Sequence, residues 1–326
     1  MSDYVGRRPV ILVSLLINLG SLVIFLFAAS AWDLIGARVV QGLTVGVGTT
    51  AFGATILDTD KPHAPTINSL TNFVGLAAGV FVSGLLVSYA PYPTKLIFVL
   101  LVAINLIELA MLIWMPETTQ KRSGAMRSMI PRVIIPPQVR APFGRISPIN
   151  IAAWALGGFY LSLMPPLVVQ ATGIQSPMIG AIAVTCLMIA AGITVIALSR
   201  WYARRELICS SVTLVVGVAI TLGGVHSVPA LFVGSIIGGI GFGAAFSGGL
   251  RSILPLAAAD DRAGVLATYF VESYLAFSVP AIIAGVLTPR LGLTTSAYAY
   301  GAVLAVLAFA SLVAIIVAKP AATTAS

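Results

Sequence analysis

Two glutamates lie inside long apolar runs of the sequence, where a carboxyl group is costly. Glu272 stands in LATYFVESYLAFSVP with Tyr269 one helical turn before it, and Glu108 stands in INLIELAML with Asn105 one turn away. Ionisable side chains in such runs are typical of proton paths and ligand sites. The sequence therefore predicts that Glu272, with Tyr269 beside it, carries a proton. The alternative for each glutamate is a structural hydrogen-bonding role.

One arginine also lies inside an apolar run. In WDLIGARVVQGLTVGVGTT, Arg38, Gln41 and Gly42 follow a spacing of three and four residues, which places them on one helix face. A membrane arginine usually faces a partner or a watery cavity, and the alternative is that Arg38 extends to the nearby headgroups. Gly42 and Gly46 would let a neighbouring helix approach closely.

The sequence contains no arrangement of residues typical of an enzyme or a metal site. His63 and His226 are far apart, and no phosphate-binding glycine loop with a lysine is present. Cys186 and Cys209 stand within apolar runs and are expected to be small buried residues. We therefore expect no catalytic activity, no cofactor and no metal.

The elements that position these residues are membrane helices. Charged residues make up 9% of the chain and mean hydropathy is +1.04, whereas soluble domains carry about 25% charged residues. Ten apolar runs are long enough to cross a bilayer as helices, so we expect an all-α integral membrane protein. The runs are 9–29, 33–57, 68–89, 95–115, 147–170, 178–198, 206–224, 229–252, 264–288 and 294–318.

The basic residues predict the orientation of these helices. Loops on the side of the two termini carry fifteen Lys and Arg residues, and the opposite loops carry two. By the positive-inside rule, both termini lie in the cytoplasm of a multi-pass cell-membrane protein. The net charge of +8 therefore reflects topology, and we expect no nucleic-acid partner.

A long basic stretch separates two groups of helices. Residues 116–146 contain four prolines and no apolar period, which is typical of a cytoplasmic linker. We therefore predict a first bundle at 1–115, a second bundle at 147–319 and a cytoplasmic tail at 320–326.

The two bundles carry related sequences. Residues 2–12, SDYVGRRPVIL, recur 197 positions later as SRWYARRELIC, and the same shift places Gly42 and Gly46 on Gly239 and Gly243. The second copy has two apolar runs before this junction, so we expect a first bundle that lacks its opening helical pair. Paired bundles that rock about a site at mid-membrane are a recurrent plan of secondary transporters.

The junction itself resembles a known motif. Asp3, Gly6, Arg7 and Arg8 match the latter part of G-x-L-[AS]-D-R-x-G-R-[RK], which joins the second and third helices in the major facilitator superfamily. The resemblance implies that Asp3 and the arginines form a charge network that latches the cytoplasmic side. In the second copy Arg200 replaces the aspartate, so the network there should be weaker or differently wired.

Two further stretches resemble motifs of this family. The R-x-x-Q-G pattern at Arg38 is similar to the fourth-helix motif implicated in proton coupling. The third run resembles the antiporter motif G-x-x-x-G-P-x-x-G-G, with departures at Val80 and Ser83. The matching glycines, which we also expect to pack helices, are Gly75, Gly79 and Gly84.

The resemblance also implies a cavity and a function. The first helix of the second bundle lines the cavity in this family, which makes Asn150, Trp154 and Tyr160 candidate substrate contacts. We predict an incomplete fold of this family, with 4 + 6 helices, that acts as a monomeric, proton-coupled secondary transporter. The predicted cargo is a small organic solute, and export is favoured over uptake. Metabolite uptake and a remnant that does not transport are the alternatives.

Overall fold

The structure is a computed structural model that describes residues 5–59, 64–117, 133–258 and 261–317. Within these ranges the regular structure is helical. The helices are α1 (Arg7–Phe27), α2 (Ala31–Thr59), α3 (Ala64–Tyr89), α4 (Pro93–Met111), α5 (Pro137–Ser162), α6 (Met164–Thr172), α7 (Pro177–Ala197), α8 (Ala203–Gly223), α9 (Val228–Ile253), α10 (Arg262–Leu291) and α11 (Leu293–Val317), with a 3₁₀ turn at Leu254–Leu256.

These helices account for the ten predicted spans. Among the described residues, nine helices are long and apolar enough to cross a membrane, and the pair α5–α6 makes a tenth span with a bend of 55°. The bend follows from Pro165 and Pro166, which lack the N–H groups that would continue the α5 hydrogen-bond ladder. The prediction of an all-α membrane protein is confirmed.

The predicted linker extends further along the chain than the structure shows. We placed the fifth span at 147–170, but α5 begins at Pro137. Proline suits the first helical position because its missing N–H has no intrahelical partner there. The helix therefore takes in the last ten residues of the stretch assigned to the linker. Residues 118–132 and the predicted tail lie outside the described residues.

The helices follow the sequence repeat. The helix starts show this correspondence. The helix α1 begins 196 positions before α8, and α2 begins 197 positions before α9. In the same way, α3 begins 198 positions before α10, and α4 begins 200 positions before α11. These offsets bracket the 197-residue shift of the junction sequences. Each helix of the first set therefore has a counterpart in the second.

Internal contacts divide the chain into two units. The first contains 1–71 and 85–131, and the second contains 72–84 and 132–326. The predicted boundary assigned all of α3 to the first bundle, whereas its middle belongs to the second unit. The reason is packing: the Phe73 ring makes edge-to-face contacts with Phe242 and Phe246, at centroid distances of 5.6 and 5.5 Å.

Small residues hold the second unit together around α9. A Cβ atom added at Gly239 or Gly243 would collide with the backbone carbonyl of Leu187 or Ala191 in α7. These two glycines therefore let the backbones of α7 and α9 touch, as small residues do between membrane helices.

The first unit has a smaller core. Val10, Ile11 and Leu15 of α1 are buried with Ala51 of α2 and Leu112 after α4. The Ser14 hydroxyl donates to the carbonyl of Thr44 at 2.9 Å, which ties α1 to α2.

Candidate functional site

Glu272 is bound by side chains from a second helix. Ser147 and Asn150 share one face of α5, and both donate to the Glu272 carboxylate on α10. The Ser147 hydroxyl bonds to Oε1, and Asn150 Nδ2 bonds to Oε2 at 2.7 Å. Asn150 Nδ2 also lies 3.1 Å from the hydroxyl of Ser273, the neighbour of Glu272. The sequence candidates Asn150 and Glu272 therefore form one cluster, which joins α5 to α10.

The donors in this cluster are neutral. In the described part of the chain, Glu272 forms no ion pair, and its bonded partners are a hydroxyl and an amide. The carboxylate is partly buried in α10, while the charged residues Arg262 and Arg290 lie in the first and last turns of that helix. Among the described residues, the carboxylate therefore has hydrogen-bond donors but no counter-charge.

An aromatic cluster begins one helical turn further along α5. The Trp154 ring is 6% exposed, while Tyr274, whose ring lies 5.5 Å from it, is 51% exposed. We call this set of rings the Trp154 cluster. The rings in contact with Trp154 are those of Phe242, Phe246, Phe270, Tyr274 and Phe277. The cluster thus extends from the core to an accessible edge.

Two polar atoms lie at the buried end of this cluster. Trp154 lies close to Tyr269, but the contact lacks hydrogen-bond geometry. Trp154 Nε1 and Tyr269 Oη therefore have no hydrogen-bond partner in the part of the chain that the structure describes. Buried polar groups are usually satisfied, and a small rotation of either side chain would let these two atoms bond to each other.

Tyr160 lies apart from this cluster. Its hydroxyl lies 2.8 Å from the Thr221 hydroxyl of α8, and its ring borders a shallow apolar surface groove together with Phe159 and Leu304. The structure therefore places Tyr160 at the contact between α5 and α8. Its predicted role as a substrate contact stays a prediction.

The candidates of α2 form a separate group in the first unit. Arg38 Nη1 donates to Gln41 Oε1 at 2.8 Å, and the guanidinium stands 5.0 Å from the centre of the Phe25 ring. Arg38 is exposed. A Cβ added at Gly42 or Gly46 meets no atom of the described residues within 4 Å. The coupling role of Arg38 and the packing role of these glycines stay predictions.

The glycines of α3 differ in their surroundings. A Cβ at Gly84 would collide with the Ala181 side chain of α7, whereas at Gly75 and Gly79 it meets no described atom within 4 Å. Gly84 is therefore a close-packing position.

The first junction contains an ion pair that joins α1 to α2. Gly6 has φ 110°, a conformation that favours glycine and permits a tight turn before α1. Arg7 Nε lies 3.1 Å from Asp58 Oδ2 at the end of α2. The Glu117 carboxylate accepts the backbone N–H groups of Arg7 and Arg8, at 2.7 and 3.1 Å. Asp3 lies outside the described residues.

Asp58 and Glu117 were not among the predicted site residues. Asp58 ends an apolar run, and Glu117 follows one within Pro116-Glu117-Thr118. Acidic residues directly after an apolar run were the available signal for both.

The second junction contains a different ion pair. Arg251 at the end of α9 forms an ion pair with Glu206 in the first turn of α8. Arg251 also donates to the carbonyl of Trp201 at 2.7 Å. Arg204 donates to the carbonyls of Ile315 and its neighbour at the end of α11. The pair Glu206–Arg251 was also missing from the predicted sites.

Known proteins resemble the chain in sequence family and in fold. Residues 1–164 match the family described as Major Facilitator Superfamily. A similar solved structure is the crystal structure of the human organic anion transporter MFSD10 (TETRAN), with a TM-score of 0.67 and 16% sequence identity. That alignment covers 95% of this chain and 78% of the other. No curated protein is significantly similar in sequence to this chain.

Proposed function

Because the chain belongs to the major facilitator superfamily, whose members carry solutes across membranes, we propose that it is a proton-coupled secondary transporter that exports a small, largely apolar organic solute. Glu272 carries the proton. The Trp154 cluster provides the surface for the solute.

The observation that carries this proposal is the state of the Glu272 carboxylate. It lies within a membrane span, it accepts hydrogen bonds from Ser147 and Asn150, and it has no cationic partner among the described side chains. Ionisable residues in membrane spans are expensive and mark ion and proton paths. A carboxylate with neutral partners can bind a proton at one membrane face and release it at the other.

The Trp154 cluster supports an apolar, aromatic solute. Aromatic pairs favour offset or edge-to-face contacts with centroids 4.5–7 Å apart. The half-exposed ring of Tyr274 presents such a contact surface, and Phe270 is stacked on it at 6.1 Å. Trp154 Nε1 would donate a hydrogen bond to an acceptor atom of the solute. Export is supported by the partial match of α3 to the antiporter motif of the family.

Energised membrane vesicles test the proposal. Everted and right-side-out vesicles that contain the full chain are given three labelled probes: neutral N-acetyltryptophanamide, cationic tetraphenylphosphonium and anionic hippurate. We expect at least one probe to accumulate in the everted vesicles, and a protonophore to abolish this accumulation. Accumulation in right-side-out vesicles alone, above that in vesicles without the chain, would establish uptake instead, because tetraphenylphosphonium also follows the membrane potential unaided. Failure of every probe to accumulate above that background would overturn the transport proposal.

A matched pair of variants tests the role of Glu272. Glu272→Gln keeps the shape of the side chain but cannot release a proton, so gradient-driven accumulation should be lost. Glu108→Gln is the control, because Glu108 also lies in an apolar span and accepts a hydrogen bond from an asparagine, Asn105, at 3.3 Å. Equal accumulation by Glu272→Gln and the unaltered chain would refute the proton-carrying role.

A further inference from the structure

The bonded partners of Glu272 share a chemical property: each can either donate or accept a hydrogen bond. A serine hydroxyl has one O–H and two lone pairs, and an asparagine amide presents NH₂ on one side and C=O on the other. Arginine and lysine, in contrast, only donate. The bonds from Ser147 and Asn150 therefore fit an ionised carboxylate, yet the same side chains could also serve a protonated one.

The distances around Asn150 permit this reversal. Nδ2 lies 2.7 Å from Glu272 Oε2 and 3.1 Å from Ser273 Oγ, while Oδ1 lies 3.4 Å from the same Ser273 oxygen. A half-turn of the amide exchanges its oxygen and nitrogen between these positions. Oδ1 would then accept a bond from a protonated Oε2, and Nδ2 would face the Ser273 hydroxyl, which also acts as donor or acceptor.

The other buried carboxylate of the second unit lacks this property. Glu206 is paired with the guanidinium of Arg251, which carries donors only. The partner of Glu206 in this pair therefore favours its ionised form, whereas the bonded partners of Glu272 can serve both forms.

We propose that Asn150, assisted by Ser147 and Ser273, is a positioning residue that inverts its amide when Glu272 takes up or releases a proton. Both charge states of Glu272 then keep their hydrogen bonds without a counter-cation. A proton from water adds to Oε2, and the amide turns from donor to acceptor; release of the proton reverses both changes. The inference rests on the proposed function in its assignment of the transported proton to Glu272.

The surrounding elements hold few groups that could compete for this proton. On α10 the nearest titratable side chains are Tyr269 and Tyr274. On α5 the nearest charge is Arg145, which is exposed and two residues before Ser147. The helix α11, which packs on both, carries tyrosines at 298 and 300 but no charged residue.

Infrared spectroscopy of the reconstituted full chain tests the inference without any substrate. The carboxylic-acid C=O band that disappears in Glu272→Gln belongs to Glu272, and its intensity against pH gives the midpoint of its titration. Asn150→Leu removes a strong bond to the ionised carboxylate and a weaker bond from the protonated one, so the acid band should persist to a pH higher by about one unit. Ser147→Ala should act in the same direction, whereas Ser147→Thr retains the hydroxyl and should keep the original midpoint.

Asn105→Leu is the matched control, because it removes the amide beside Glu108 and should leave the Glu272 band unchanged. In the unaltered chain, amide bands should change together with the Glu272 band, and ¹⁵N labelling of asparagine should shift them. A midpoint in Asn150→Leu within about 0.3 pH units of the unaltered chain would overturn the inference. Absence of the labelled amide signal would also overturn it.

The proposed function would survive either result if Glu272→Gln still abolished proton-driven transport. The proposed function alone would be refuted if the Glu272 band responded as expected but the vesicles showed no proton-driven accumulation.

Discussion

Removal of Arg251 should destabilise the second unit far more than neutralisation of its partner. Arg251→Met leaves the Glu206 carboxylate buried without a counter-charge, since the Glu206 side chain is 0% exposed. Its Oε2 atom already lacks a hydrogen-bond partner among the described residues. Glu206→Gln instead removes the buried charge. The guanidinium that remains is 40% exposed and still bonds to the Trp201 carbonyl at 2.7 Å.

The burial of the two side chains determines how much the two variants should differ in stability. Loss of one partner of a buried pair costs about 3–5 kcal/mol, and the partial exposure of Arg251 places the expected cost near the lower end, about 3 kcal/mol. Glu206→Gln should cost about 1 kcal/mol or less, because no buried charge is left behind. At roughly 2 °C per kcal/mol for a chain of this size, Arg251→Met should lower the midpoint of thermal unfolding by about 6 °C.

Thermal unfolding of the detergent-solubilised chain measures this difference. A thiol-reactive dye would report exposure of Cys186 and Cys209, both partly buried, at a fixed heating rate. The double variant Glu206→Gln/Arg251→Met should unfold near the temperature of Glu206→Gln alone, and Arg205→Met, which alters an exposed arginine, is the control. If Glu206→Gln destabilised the chain as much as Arg251→Met, the argument from burial would be refuted.

Three further variants test the packing and the turn. Gly158→Ala would place a Cβ against a backbone carbonyl of α10, so it should lower the stability measured in the same assay by about 1–3 kcal/mol. Gly285→Ala is its control, because a Cβ there meets no described atom within 4 Å and should leave the stability unchanged. Gly6→Ala places a side chain at φ 110° beside the Glu117 carboxylate and should also lower the stability by about 1–3 kcal/mol. An unchanged midpoint of thermal unfolding would contradict the positive φ of this turn. Tyr300→Phe removes a buried hydrogen bond of 2.8 Å to a backbone carbonyl of α5 and should cost about 0.5–1.5 kcal/mol, seen as a midpoint lower by about 1–3 °C.

The spans and several site residues could be predicted from the sequence because their signals are local. An apolar run of sufficient length predicts a helix wherever it packs. Glu272 was predicted as a proton carrier because a carboxylate stands out in such a run. Its contact with Asn150 could not be predicted, since 122 residues separate the two and no local pattern states that α5 lies against α10.

Most of the residues that were missed stand at or next to helix ends. Ser147 is the first residue of the predicted fifth span, directly after the stretch assigned to the linker, and no pattern within that span distinguished it from its neighbours. Arg251 was counted among the positive charges that set the topology, which hid its pairing with Glu206. A charged residue at a helix end can both orient the helix in the membrane and form an ion pair. The sequence alone distinguishes these two roles only when the residues of the ion pair are neighbours along the chain.

The two junctions retain the same connection between helices but exchange its charges. In the first unit the cation stands at the start of α1 and the anion, Asp58, at the end of α2; in the second the anion stands at the start of α8 and the cation at the end of α9. Coulomb attraction is unchanged by this exchange, but the helix dipole is not. It favours negative charge at a helix start and positive charge at a helix end, by about 0.3–1 kcal/mol each.

Glu206 and Arg251 therefore gain from both helix dipoles, whereas the charges of Arg7 and Asp58 oppose theirs. The carboxylate of Glu117 offsets this at the start of α1, because it accepts the first backbone N–H groups there and brings negative charge to that helix end. In the second unit Glu206 already places negative charge at the start of α8, and the end of α11 supplies backbone carbonyls to Arg204. Each junction thus joins three helix ends, and among the described residues a carboxylate is the third contributor at the first junction, where the dipole of α1 favours negative charge.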